Sequence, residues 1–227
     1  MGNRLAGKRV LVTMAGTYMG PAVVELFRDE GAEVVADGRD LTIPGAAESA
    51  VAEAGPIEVL VANLAEAPHS SPVGEIDDED WARLFDVLVH PLMRLVRAAT
   101  PAMVERRSGK VVAVTSAAPL RGIPLASGYC AARGAQNAFV RAVGLELARY
   151  DVQVNAIAQN YVQNDTYYPP ELAADDRFVD RMRRAVPVGR LAEGRETAEL
   201  ALYLASDHSG FLVGQVLPFA GGWVTST

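Results

Sequence analysis

Short runs rich in valine punctuate the chain at residues 10–13, 32–36, 59–62, 111–115, 152–157 and 216–219, with Glu33 their one charged residue and polar Gln153 and Asn155 within the fifth. Apolar runs of that length are buried on both faces, as the strands of a parallel sheet are. The intervals between them carry helical patterning. Residues 22–30 are bracketed by Pro21, whose missing N–H has no partner in a first helical turn anyway, and by Gly31 just past the end. A second helical pattern spans residues 79–106 and contains Pro91 and Pro101, each expected to bend or end it locally. A third covers residues 128–150. Strands and helices in alternation predict an α/β fold, a doubly wound parallel sheet flanked by helices. No repeat, low-complexity tract or Pro/Gly-rich linker divides the chain, so residues 1–227 form a single domain on this reading. Ligands of such sheets bind beyond the carboxyl ends of the strands, near the reversal of strand order.

Composition removes several functions. Hydrophobic residues make up 50% of the chain and charged residues 22%, a balance that suits a packed core and excludes extended disorder. A net charge of -7 with scattered lysines and arginines argues against nucleic acid as a partner. Cys130, the single cysteine, cannot close an internal disulfide, and His69, His90 and His208 lack metal-ligand spacing. No apolar run reaches membrane-spanning length. The opening segment lacks the apolar stretch of an export signal, and Ala6 breaks the acylation pattern that Met1-Gly2 suggests. The expectation is a cytoplasmic protein without a membrane partner, in which the sequon Asn164-Asp165-Thr166 is incidental.

The densest chemical signal is Ser116, then twelve residues, Tyr129, three residues and Arg133. Ser116 closes the fourth strand, while Tyr129 and Arg133 share one helix face. This spacing, the strand and helix pattern and the late Ala220-Gly221-Gly222 resemble the short-chain dehydrogenase/reductase family along nearly the whole chain. The resemblance implies a Rossmann-like fold. In that family's reductases a Ser, Tyr and Lys bind a carbonyl or alcohol and move its proton, while a nicotinamide cofactor carries hydride. Arg133 stands in the lysine place.

The departures from that pattern matter more. A dinucleotide needs bare backbone in the turn after the first strand. Here the turn holds Met14 and Tyr18 and, of the three glycines of the family's pattern, keeps only Gly20, and the stretch after the third strand reads Ala62-Asn63-Leu64-Ala65, again short of a glycine. Thr13-x4-Tyr18-x-Gly20 together with Ser116-x12-Tyr129-x3-Arg133 is similar to the halohydrin dehalogenases, a cofactor-free branch of the family. Arg4 to Arg9 and Val61-Ala62-Asn63 further resemble its B-type group. The resemblance implies conversion of vicinal haloalcohols to epoxides with no cofactor, epoxide opening by halide, azide, cyanide or nitrite, and a homotetramer.

The residue types suit that chemistry. A tyrosine ionising at about 10 is a poor base at neutral pH unless a permanent positive charge favours its phenolate. Arg133 supplies one without competing for the proton, and Ser116 orients the substrate oxygen by a hydrogen bond. The leaving halide calls for backbone N–H groups among aromatic walls. By position in the family, the halide site falls to Asn160, Tyr161 and Val162, with Tyr168 as a wall and Tyr18 facing them.

Plainer roles compete with these. Tyr129 and Arg133 at helical spacing also suit an amphipathic surface. Tyr18 suits packing under the first helix, Met14 suits a core filler, and Tyr161, Tyr167 and Tyr168 suit a small loop core. Asn160 suits a turn, Cys130 a packing position, the acidic run 77–80 a helix start, and His90 a structural place before Pro91. A nicotinamide-dependent short-chain reductase with an unusual turn, or a non-catalytic Rossmann-like binding protein, remain the competing functions.

Overall fold

Six strands, Arg9–Val12 (β1), Glu33–Ala36 (β2), Val59–Asn63 (β3), Gly109–Ser116 (β4), Val152–Gln159 (β5) and Val216–Phe219 (β6), pair in parallel in the order β2-β1-β3-β4-β5-β6. This computed structural model describes residues 3–225; Met1 and Gly2, which carry the acylation pattern, lie outside them. The helices are Gly20–Asp29 (α1), Ala46–Ala54 (α2), Asp78–Leu84 (α3), His90–Arg106 (α4), Ala118–Arg121 (α5), Ser127–Leu147 (α6), Pro170–Ala173 (α7), Asp176–Ala185 (α8) and Gly194–Ala205 (α9). The fold is a single-domain, Rossmann-like α/β sheet, with its order reversing between β1 and β3. A ligand crevice opens beyond the strand ends at such a reversal.

Alternate strand residues feed opposite faces. Leu11, Leu60, Val111 and Ala113 pack with α2, α4 and α6, whereas Val10, Val12, Val59, Val61, Val112 and Val114 pack with α1 and α9. Both faces are covered, so the strands read as uninterrupted apolar runs. Burial of Val23, Leu26 and Phe27 on α1 contributes roughly 1.5–3 kcal/mol each before the cost of ordering them. Strands β4 and β5 extend beyond the runs 111–115 and 152–157 because buried Lys110, Ser116 and Gln159 are also strand residues. Their register sets Ser116 level with Gln159 at the sheet's carboxyl edge.

The long helical pattern at 79–106 divides into α3, a π-turn over Phe85–Val89, and α4. Pro91 lies in the first turn of α4, but Pro101 sits inside that helix without ending it. Pro101 and Arg97, whose carbonyl loses its helical donor, are both exposed, so the missing bond lies on the solvent side of the helix. Asp77 caps α3 by accepting the Glu79 N–H at 2.6 Å, as the acidic run suggested. Among the described residues no helix is long and apolar enough to cross a membrane, and no cluster of His, Cys, Asp and Glu could hold a metal.

Candidate active site

The turn after β1 is tied to the end of β3 by polar bonds that explain its threonine. Thr13 Oγ1 donates to the Asn63 carbonyl at 3.1 Å and accepts the Asn63 N–H at 3.0 Å, while Asn63 Nδ2 donates to the Met14 and Thr17 carbonyls. A Cβ on Gly20 would lie 2.4 Å from the Met14 oxygen, so only glycine fits there. Met14 and Tyr18 adopt φ of 44° and 54°, the left-handed region that glycine favours. Holding a side chain there costs about 1–2 kcal/mol per residue. The glycine-like backbone thus persists where the glycines do not. The Tyr18 ring is buried, with its centroid 5.3 Å from that of Tyr167.

On α6, Tyr129 and Arg133 are not a surface pair: Arg133 is 0% exposed. Its Nε donates to Tyr129 Oη at 3.2 Å, its Nη1 to the Val114 carbonyl at 3.3 Å and Gln136 Oε1 at 2.9 Å, and its Nη2 to Tyr167 Oη at 2.9 Å. Gln136 is held in turn by donating from Nε2 to the Leu88 carbonyl at 2.6 Å, inside the π-turn. The widened hydrogen-bond spacing of a π-turn releases carbonyls for such use. Burial opposes the Arg133 charge, but the oxygens of Tyr129, Tyr167 and Tyr18 outweigh it and raise its pKa, so it stays cationic. Burial likewise pushes the Tyr18 and Tyr167 hydroxyls well above the usual phenol range, against the pull of Arg133, so both remain protonated at neutral pH.

Ser116 Oγ accepts the Ala118 N–H at 3.1 Å, which leaves its own proton for another acceptor. Asn137, one turn beyond Arg133, donates to the Ser116 carbonyl at 3.2 Å. His90 faces the surface, paired with Asp86 at 2.9 Å, and Cys130 packs half-buried against the core of the α6 face.

The loop after β5 divides its aromatic residues between two tasks. Tyr161 and Tyr168 stack at 5.5 Å and join a small core of Phe178, Met182 and Val186, with Trp223 edge-on to Tyr161 at 5.9 Å. Burial raises the pKa of both hydroxyls, and Arg121 partly offsets this at Tyr161. Asn160 Oδ1 accepts the Tyr168 hydroxyl at 2.6 Å and the Tyr161 N–H at 2.9 Å. The Tyr161 amide expected for an anion is therefore engaged, because Asn160 makes a turn as well as a wall. No acceptor for the Val162 N–H lies among the described residues. Asn164, inside the sequon, is buried and accepts the N–H groups of Thr166 and Tyr167, turning Tyr167 towards Tyr18 and Tyr129.

These residues enclose a cavity of about 80 Å3. Tyr18, Ser116, Tyr129, Asn160, Tyr161, Val162 and Tyr168 all line it, and Arg133 lies behind Tyr129 and Tyr167. Gln159, Asn164 and Tyr167 also line it, although sequence spacing did not single them out as site residues. A cleft of about 840 Å3 opens elsewhere, beyond the ends of β1, β2 and β3, against Met14, Thr17, Arg39, Leu64 and Glu66. The two share no lining residue. Tyr18 and Tyr167 line the smaller cavity, and Glu66, which lines the cleft, is bonded through its backbone to the Tyr167 hydroxyl.

Residues 7–224 match the protein family described as Enoyl-(Acyl carrier protein) reductase. The chain belongs to the short-chain dehydrogenase/reductase family. Among short-chain dehydrogenase/reductase proteins, L-xylulose reductase of Homo sapiens is 31% identical over 240 residues, covering 96% of this chain and 97% of its own. A solved structure named "Dehalogenation enzyme" is 33% identical with a TM-score of 0.92, covering 97% of this chain and 100% of that one. A 3-oxoacyl-(acyl-carrier protein) reductase from Brucella melitensis with bound NAD is 26% identical with a TM-score of 0.87, covering 99% and 94%.

Proposed function

We propose that this short-chain dehydrogenase/reductase family member is a halohydrin dehalogenase: a cofactor-independent lyase that closes vicinal haloalcohols to epoxides and runs the reaction backwards with small anions. The observation that carries the proposal is the left-handed turn bearing Met14 and Tyr18 where a dinucleotide requires bare backbone. A nicotinamide cofactor stretched from the β2 end to Tyr129 would have to cross the Tyr18 and Tyr167 rings and the Met14 sulfur, which accepts the Ala65 N–H at 3.4 Å. The residues present do not fit that group. No step is assigned to it.

In the forward direction Tyr129, its phenolate favoured by Arg133, removes the substrate hydroxyl proton. Ser116 donates to the same oxygen and orients it. The alkoxide oxygen bonds to the neighbouring carbon as the carbon–halogen bond breaks, and the halide leaves with that electron pair. Nothing is oxidised or reduced, and the proton on Tyr129 passes to solvent. The Val162 N–H and the edges of Tyr161 and Tyr168 suit the departing anion. The neighbour named a dehalogenation enzyme supports this reading. Assembly as a homotetramer and a cytoplasmic location accompany it by family likeness.

A nicotinamide-dependent reductase is the second reading, favoured by the names of the sequence relatives and by the cleft beyond β1 to β3. Halide binding separates the two. Bromide is expected to quench Trp223, which touches the site through Tyr161, in a saturable manner. It should also inhibit ring closure as a product. A Trp81→Phe background isolates the signal; a linear response without product inhibition would contradict the anion pocket.

A further inference from the structure

We propose that Tyr167 is a positioning residue, holding Arg133 against Tyr129 through a neutral oxygen and so directing the guanidinium's charge onto the Tyr129 hydroxyl. The inference rests on Tyr129 being the base, and the geometry around Arg133 carries it. A buried guanidinium ordinarily finds a carboxylate, since an unpaired buried charge is costly. Arg133 instead meets four neutral oxygens: Tyr129 Oη, the Val114 carbonyl, Gln136 Oε1 and Tyr167 Oη. A carboxylate in the place of Tyr167 would hold the guanidinium equally well but neutralise its field at Tyr129.

Tyr167 cannot itself take the role of base. Its oxygen accepts from Arg133 Nη2 at 2.9 Å and from the Glu66 N–H at 3.1 Å, and its proton goes to the Glu66 carbonyl at 2.7 Å. Both lone pairs and the proton are therefore committed. The ring is fixed independently, packed against Tyr18 at 5.3 Å and Tyr129 at 6.3 Å, with its backbone N–H on Asn164 Oδ1.

The other groups facing Tyr129 come from each element packed against it. The turn after β1 contributes Tyr18, held protonated by burial. The segment after β3 contributes the Glu66 backbone, the Glu66 carboxylate being paired with Arg83 at 2.9 Å, and His69, which is bonded to Asp80 and with Asp77 and Asp80 lines a second small cavity that Tyr129 also lines. From the π-turn comes the Leu88 carbonyl through Gln136, from β4 Ser116 and the Val114 carbonyl, and from the loop after β5 Tyr161 and Tyr168, both raised by burial.

The test is an ultraviolet difference titration of tyrosinate, which needs no substrate, paired with a pH–rate profile. In the otherwise unaltered protein the earliest tyrosinate step should vanish in Tyr129→Phe. In Tyr167→Phe, which keeps the ring, that step should move alkaline by about one pH unit, with the rising limb of kcat following it and KM little changed. A Tyr167→Phe protein that is less stable but titrates at the original pH would reduce Tyr167 to packing and overturn the proposal. So would an earliest step that survives Tyr129→Phe. A shifted step in a protein that releases no halide would support the positioning role while sinking the dehalogenase reading.

Discussion

Tyr129→Phe is expected to lower halide release by roughly 10²–10⁴-fold while leaving the fold intact. The ring packs in the core on the α6 face, and that packing survives the substitution. What disappears is the oxygen 3.2 Å from Arg133 Nε and, with it, the acceptor for the substrate proton. Steady-state bromide release and a thermal melt together check this. A variant releasing bromide at the original rate would remove Tyr129 from the mechanism. Ser116→Ala should come close in severity, since the same substrate oxygen loses its orienting donor.

Arg133→Met is expected to cost about as much at neutral pH and to recover only above the ordinary phenol range of about 10, because a buried phenol without the guanidinium resists ionisation. The methionine removes the charge buried beside Tyr129 and leaves Gln136 Oε1 without its donor, while Tyr167 Oη keeps the Glu66 N–H. Each buried acceptor left unsatisfied costs about 1–3 kcal/mol, so the melting temperature should fall as well. Arg133→Lys should be milder. Its compact ammonium keeps the charge but has only three donors for sites that the planar guanidinium reaches together, and the pH–rate profile should shift. A pH–rate profile for Arg133→Met that matches the original would contradict the electrostatic role.

The elements that sequence locates well are those whose burial is simple. Strands β1 and β3 are short apolar runs, and α1 has Pro21 and Gly31 as its punctuation. The ends of β4 and β5 are hidden because buried Lys110 and Gln159 look like surface residues until their neighbours are known. The π-turn gives no local sign, because its use becomes evident only when Gln136 reaches the Leu88 carbonyl from a helix almost fifty positions away. Ser116, Tyr129 and Arg133 were legible from spacing since each sits at a fixed place on one strand end and one helix. The loop after β5 is only partly legible. Tyr167 and Tyr168 are adjacent and chemically alike, and it is the Asn164 turn that sends one to Tyr129 and the other to Phe178.

The most direct measurement is bromide release from a small vicinal bromohydrin by protein freed of nucleotide, with no nicotinamide added. The chemistry proposed for Tyr129, Arg133 and Ser116 predicts one bromide and one proton per epoxide formed, at a rate unchanged by NAD or NADP and lost in Tyr129→Phe. Absence of bromide release, together with micromolar binding of either dinucleotide, about -8 kcal/mol, and its turnover with a carbonyl substrate, would contradict it and make the protein a reductase.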